Sequence, residues 1–195
     1  MSLEFWKSAS PLVRRIITIA IVFIFAVIIT TVGTWTPIEE HEAKEIDDAM
    51  NQTVNSLMAN NALVQYIFGN NFMFTLIMFV PIIGVAFGAY VLYNTGAVIA
   101  AIAISNQIPP ALSLIALFLT PVAWLEFIAY STAMAESIWL TYRIWRRRGK
   151  HELINACKFI SVCAVILLVA AIIEAAMIYS VPEQHEISLF YLLFL

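Results

Sequence analysis

The chain has 195 residues, of which 62% are hydrophobic and 12% are charged, and its formal net charge is −3. Soluble domains carry about 25% charged residues, so this composition excludes an ordinary soluble domain and predicts a multi-pass membrane protein. Nine of the ten basic residues lie around the start of the first apolar segment or between Arg143 and Lys158. The positive-inside rule places both regions in the cytoplasm. We interpret these residues as helix anchors, and we expect no nucleic-acid partner.

The apolar segments predict an all-α transmembrane helix bundle with about five crossings. They comprise residues 12–35, 70–93, 95–108, 111–145 and 153–180. A hydrocarbon core needs about 20 apolar residues, so the third segment is short, and Pro121 is expected to break the fourth. Residues 94–96 (Asn-Thr-Gly) are typical of a turn between the second and third crossings. With the N-terminus inside, five crossings place the C-terminus outside the cell membrane.

Residues 36–69 form an extracytoplasmic segment between the first two crossings. Apolar residues from Ile46 to Met58 recur there at helical spacing, between acidic and amide residues. This pattern indicates an amphipathic helix that packs on the outer face of the bundle. A hydrophobic tail, residues 187–195, closes the chain.

Three glutamates, Glu126, Glu136 and Glu174, lie inside predicted crossings. A carboxylate in a bilayer costs about 2.5–3.5 kcal/mol on insertion scales, so each needs a partner, a proton or a water-filled cavity. The helical rise places Glu126 about 8 Å and Glu174 about 9 Å outward from the centres of their helices. Asn70 and Asn71 begin the second crossing near the same depth.

The common depth of these two glutamates and two asparagines has two interpretations. Two carboxyls at one depth in a low dielectric share a proton or hold a cation between them. The first interpretation is therefore a cation or proton site. The second is a lock between helices, because interhelical polar contacts contribute about 0.6–2 kcal/mol and fix helix register. The sequence leaves both open.

A second polar position and a pair of glycines complete the candidate residues. Glu136 lies toward the cytoplasm, about 80° around the helix from Glu126. Arg143 shares the face of Glu136, so a local ion pair or a snorkelling contact is expected. Gly84 and Gly88 have the spacing of a close helix–helix contact, within the bundle or across a dimer. Besides the bilayer, we expect a second copy of the chain or another membrane protein as partner.

The sequence contains no motif of a soluble catalytic or cofactor-binding domain. It has no nucleophile elbow, no phosphate-binding glycine loop and no HExxH or CxxC pattern. Cys157 and Cys163 are six residues apart and on different faces of one apolar helix. We therefore expect a non-enzymatic protein with no cofactor and no metal centre.

Several short segments together resemble the stage II sporulation protein M family of integral membrane proteins. Residues 68–71 (Phe-Gly-Asn-Asn) open a hydrophobic helix as that family's paired-asparagine segment does, and residues 94–96 resemble its asparagine-glycine turn. Residues 121–126 (Pro-Val-Ala-Trp-Leu-Glu) follow the spacing of its Pro-His-Gly-x-x-Glu motif. Residues 170–175 (Ala-Ala-Ile-Ile-Glu-Ala) are similar to its terminal Ala-x-x-Ile-Glu-Ala signature.

The resemblance singles out Glu126 and Glu174, the pair that depth also selects. Val122 and Ala123 replace the family's His-Gly pair, so no imidazole is present there, and Glu136 stands where the family usually has a small residue. In spore-forming bacteria this family takes part in an envelope-remodelling complex with cell-wall-degrading partners. The resemblance therefore implies a membrane scaffold in a cell-envelope or membrane complex. A small cation or proton transporter is the alternative.

Overall fold

The computed structural model describes residues 8–146 and 149–180. These residues form seven α-helices and no β-strand. In chain order the helices are α1 (Pro11–Gly33), α2 (Glu40–Ala59), α3 (Leu63–Met78), α4 (Ile83–Ser105), α5 (Pro110–Phe118), α6 (Pro121–Trp145) and α7 (Gly149–Tyr179). The all-helical fold predicted from the sequence is confirmed. The predicted tail, residues 187–195, lies outside the described residues.

Three of these helices are long and apolar enough to cross a membrane. They are α1, α4 and the Leu153–Tyr179 part of α7. Helices α5 and α6 are long and apolar enough only when taken together, and they meet at 82°. They add a fourth crossing if the pair counts as one broken span. Helix α3 is also apolar, but its 16 residues fall short of the about 20 that a hydrocarbon core needs. The chain is thus a multi-pass helical membrane protein with five apolar elements.

The break at Pro121 is found where the sequence predicts it. The Thr120 hydroxyl accepts a hydrogen bond from the Ala123 amide at 3.3 Å and so caps α6. Proline suits the first helical position because its fixed φ is helical and its missing N–H would have no partner there. These two local features start a new helix at this point, and α5 ends three residues earlier.

The predicted second crossing, residues 70–93, is not one helix. The chain leaves the helix after Met78 and enters the next one at Ile83. Pro81 lies between them, and proline both lacks an N–H and disfavours a helical residue before it. Ile82 has a φ of 72°, and the Ile83 amide donates to the Pro81 carbonyl at 2.8 Å. This pattern is a γ-turn, which reverses the chain within three residues.

The predicted turn at residues 94–96 lies instead inside α4. Gly96 is buried where α4 crosses α1, and a Cβ there would lie 2.1 Å from the Thr30 carbonyl oxygen. A Cβ on the facing Gly33 would be equally close to the α4 backbone, at 2.2 Å. Gly96 therefore permits a close contact between two helices. The predicted third segment, residues 95–108, becomes the second half of α4.

Helix α6 lies at the centre of the bundle and is buried on every side from Ala129 to Ser137. Gly84 and Gly88 bring α4 against it. A Cβ at Gly88 would lie 2.3 Å from the Met134 sulfur, and one at Gly84 would lie 2.7 Å from the Ser137 hydroxyl oxygen. The small-residue pair thus packs within one bundle.

The predicted amphipathic helix is α2, which packs on the end of the bundle where α4 ends. Its buried residues are Ala43, Asp47 and Val54. The Asp47 carboxylate accepts hydrogen bonds from the Ser105 hydroxyl at 2.9 Å and from the Asn106 amide at 3.2 Å. Sequence reasoning missed this anchor, although Asp47 lies one turn from Ala43 on the apolar face of the helix.

Candidate functional site: a polar cavity between helices

A cavity of about 490 Å³ lies among α3, α4, α6 and α7. The four residues that the sequence places at one depth all line it: Asn70 and Asn71 from α3, Glu126 from α6 and Glu174 from α7. The other polar groups in its wall are Tyr66, Tyr90, Asn94, Thr95 and Tyr130. The structure therefore brings the predicted candidate residues together, in a space that opens between helices.

Glu126 lies in the second turn of α6 and is half-buried. The side-chain amide of Asn71 donates a hydrogen bond to its Oε1 atom. This contact joins the middle of α3 to the second turn of α6 and so ties the two helices together.

Glu174 approaches the same cavity from α7 and is buried, with a fractional exposure of 5%. Glu126 and Tyr130 line the same cavity. No described residue donates a hydrogen bond to Glu174. A buried carboxyl without a protein donor needs a proton, water or a cation as its partner.

Asn94 and Thr95 are members of the site that the sequence analysis placed in a turn. The Asn94 amide donates to the Tyr90 carbonyl at 2.7 Å, and the Thr95 hydroxyl donates to the Val91 carbonyl at 3.0 Å. The Thr95 hydroxyl and one N–H of the Asn94 amide are thus bonded within α4, which leaves the oxygen atoms of both side chains as acceptors. Their signal in the sequence is the spacing of Phe87, Tyr90, Val91 and Asn94 along one helix face.

The polar acceptor atoms that line the cavity are oxygens of carboxylate, amide and hydroxyl groups. Carboxylate, amide and hydroxyl oxygens suit hard cations, whereas transition metals prefer imidazole or thiolate ligands. Among the residues that the structure describes, no group of three or more His, Cys, Asp or Glu residues is placed to hold a metal ion. The arrangement therefore suits protons or a hard cation that keeps part of its water shell.

Glu136 lies apart from this cavity, in agreement with its angle on the helix, and its fractional exposure is 1%. It forms its ion pair with Arg15 on α1. The sequence analysis placed Arg143 beside Glu136, whereas the ion pair that the structure gives this carboxylate comes from another helix. The Arg15 guanidinium also lies over the rings of Trp139, at 5.8 Å, and Phe159, at 5.5 Å. The physical reason is that α1 packs along α6 and brings its own arginine to the buried carboxylate.

Together these features define a multi-pass helical membrane protein with a two-carboxylate cavity inside its bundle. The family model described as stage II sporulation protein M matches residues 19–177, and the chain belongs to that family. The match runs from α1 almost to the end of α7, so it includes every residue of the cavity. No curated protein and no solved structure matches the chain.

Proposed function

We propose that the protein binds a hard cation or protons in the two-carboxylate cavity and passes them across the membrane without enzymatic chemistry. One observation carries this proposal: Glu126 and Glu174, on different helices, open onto one shared cavity. Carboxyls that only fixed helix packing would be expected to contact each other or a neighbouring helix with little space between them.

The size of the cavity supports a solute site. Its volume of about 490 Å³ falls within the range of about 300–1,000 Å³ that is typical of ligand sites. A polar cavity of this size also holds ordered water. Water lowers the cost of a charged carboxylate, and it gives a cation a partly hydrated environment at the protein's own oxygen atoms.

The fold places interrupted helices beside this cavity. Leu117 of α5 forms part of the wall, and α5 meets α6 at 82° just before Glu126. Irregular backbone at membrane depth is tolerated where it is buried in protein or lines a cavity, and transporters use broken helices at their ion sites.

We infer the orientation of the bundle in the membrane from the positive-inside rule. The N-terminus is then cytoplasmic, and the cavity lies in the outer half of the bundle near α2. The end that carries Arg14, Arg15 and Arg143 faces the cytoplasm.

The test is ion flux in liposomes that contain the purified protein. Protons, Na⁺, K⁺, Mg²⁺ and Ca²⁺ are followed separately for the wild type, Glu126→Gln and Glu174→Gln. We expect flux of at least one ion in the wild type and a decrease of about tenfold or more in each variant, equivalent to about 1.4 kcal/mol of lost stabilisation. Glu42→Gln is the matched control, because Glu42 is exposed on α2. Unchanged flux in both cavity variants would refute the proposed site.

A scaffold in a cell-envelope or membrane complex is the second candidate function. The hydrogen bond between Asn71 and Glu126 favours it, because this contact ties α3 to α6. A glutamine at position 126 keeps an acceptor for Asn71, so a scaffold should tolerate Glu126→Gln. Absence of flux for every ion in the folded wild type, together with cross-linked partners in native membranes, would support the scaffold. Recovery of monomer alone would count against it.

A further inference from the structure

The wall of the two-carboxylate cavity is rich in aromatic rings, a property that the proposed function does not use. Six rings line it: Tyr66, Phe74, Phe87, Tyr90, Phe127 and Tyr130. Aliphatic side chains from α3, α4 and α5 add further apolar surface, among them Ile67, Leu92 and Leu117. A hydrated inorganic ion gains little from such a surface, whereas an organic ligand buries its own apolar atoms against it.

Aromatic rings and polar groups alternate along the helices that form this wall. Phe74 follows Asn70 by four residues on α3. Tyr130 follows Glu126 by the same spacing on α6, and residues at this spacing share one face of a helix. The rings of Phe74 and Phe87 meet edge to face, with their centroids 6.0 Å apart. The cavity therefore combines a polar part with an adjoining aromatic part, which suits a ligand that has one charged end and an apolar body.

Two buried polar side chains in the wall form no hydrogen bond with another described residue. They are the Glu174 carboxyl, with a fractional exposure of 5%, and the Tyr130 hydroxyl, with 6%. Buried polar groups without partners are uncommon in native structures, and both of these line one cavity. A primary ammonium group has three N–H donors. It would give both oxygen-bearing groups a partner and would balance the charge of an ionised Glu174.

The ligand set of the cavity fits an ammonium ion better than a dehydrated metal ion. Ca²⁺ and Mg²⁺ need about six or more oxygen ligands that converge on one point. Among the described residues, no three or more His, Cys, Asp or Glu side chains surround such a point, so a hard cation would keep most of its water shell. An ammonium group needs only a few separate acceptors, and its charge is also attracted to the faces of aromatic rings.

We propose that the cavity binds an organic ammonium ion, with its charged group at Glu174 and its apolar body along the rings of Phe74 and Phe87. Aromatic walls recognise such cations in proteins through cation–π attraction. Tyr66 of α3 and Tyr90 of α4 line the cavity and are exposed on the bundle surface, so the ligand has a path between these two helices. The inference rests on the cavity being a solute site, as the proposed function does, but it does not require transport.

The test is equilibrium dialysis of radiolabelled 2-phenylethylammonium against the purified full chain in detergent, with binding to empty micelles subtracted. We expect saturable binding, about tenfold tighter than that of 2-phenylethanol, which has the same apolar body without the charge. Glu174→Gln removes the counter-charge and should weaken binding by about tenfold or more. Phe74→Leu should weaken it by about fivefold, the effect of one cation–π contact. Glu42→Gln and Phe25→Leu are the matched controls, because both residues are exposed and do not line the cavity.

Two conservative variants separate loss of the site from loss of the fold. Glu174→Asp keeps the charge and Phe74→Tyr keeps the ring, so each should retain most of the affinity. Equal binding of 2-phenylethylammonium and 2-phenylethanol would overturn the inference, and so would displacement of the probe by an equal concentration of K⁺. Ion flux that depends on Glu174 without binding of the probe would refute this inference and leave the proposed function standing. Binding of the probe without flux of any inorganic ion would support the inference alone.

Discussion

The Arg15 guanidinium on α1 and the Glu136 carboxylate on α6 form an ion pair although 121 residues separate them in the chain. The side chains are almost withdrawn from solvent, with fractional exposures of 13% and 1%. In a low dielectric an isolated charge is far more costly than a pair. Trp139 and Phe159 flank the guanidinium and add cation–π attraction. The pair therefore fixes how α1 packs on α6.

Removal of either partner should destabilise the bundle strongly. Arg15→Gln leaves the Glu136 carboxylate buried without this counter-charge, and Glu136→Gln removes the carboxylate from the ion pair, so each should lower the free energy of unfolding by about 3–5 kcal/mol. The double variant should lose clearly less than the sum, because it does not leave the Glu136 carboxylate buried without the guanidinium. The measurement is denaturant unfolding in mixed micelles. Additive losses would show that the two side chains do not interact.

An exposed pair of variants on α2 controls for general effects of charge removal. Glu42→Gln and Lys44→Gln change residues that are exposed on that helix. Surface changes of this kind stay within about 0.5 kcal/mol of the wild type. A loss of several kcal/mol in these controls would mean that the assay reports overall charge and not the buried pair.

The depth of each polar residue in the bundle could be predicted from the sequence, but the helix that packs beside it could not. Hydrophobic length and helical rise place Glu126, Glu174 and Asn71 at one level, and the structure brings them to one cavity. The partner of Glu136 was not predictable in this way. Arg143 is close in sequence and shares its face, yet the ion pair depends on which helix packs along α6, and periodicity does not specify that.

The turn predicted at residues 94–96 was also wrong because tertiary contacts outweigh local residue preferences. Asparagine, threonine and glycine at residues 94–96 favour a turn in isolation. In the bundle Gly96 is needed for the contact with Gly33 on α1, so the helix continues through it. Pro81 was visible inside the predicted second crossing, but its position in a γ-turn depends on tertiary contacts. The amide of Ile82 donates to the Thr141 hydroxyl of α6 at 2.9 Å.

Two glycine-to-alanine substitutions, one inside the contact between α1 and α4 and one outside it, should have opposite effects on stability. Gly96→Ala places a methyl group 2.1 Å from the Thr30 carbonyl oxygen. The carbonyl belongs to the backbone of α1 and cannot move away unless the two helices separate. We therefore expect the free energy of unfolding to fall by about 1–3 kcal/mol. A Cβ at Gly69 would have no atom within 4 Å. Gly69→Ala should therefore raise the free energy of unfolding by about 0.5–1 kcal/mol, because alanine favours the helix more than glycine does. Thermal unfolding of both variants in one detergent tests the difference, and a loss at both positions would contradict the crossing.

The γ-turn at Ile82 predicts a stabilising substitution. A φ of 72° is unfavourable for a β-branched residue, and such strain amounts to about 1–3 kcal/mol. Ile82 is 79% exposed, so Ile82→Gly loses little packing while it relieves the strain. We expect a gain of about 1 kcal/mol in the free energy of unfolding, reduced by the greater freedom of glycine in the unfolded chain. Ile82→Ala, which keeps a Cβ, is the matched control and should gain less.

Water access to the two-carboxylate cavity distinguishes a solute site from a dry helix lock. In a background without Cys157 and Cys163, Asn70→Cys should react with a charged, membrane-impermeant thiol reagent added from outside intact cells, because Asn70 lines the cavity. Val165→Cys is the control. Val165 is 64% exposed on α7, but this surface belongs to an apolar span and should face lipid, where a charged reagent does not reach.

An ion that supports flux should slow the reaction of the reagent with the cysteine in Asn70→Cys. If Asn70→Cys stays unreactive while Glu42→Cys on the exposed face of α2 is labelled, the cavity excludes water, and the glutamates are a lock between helices.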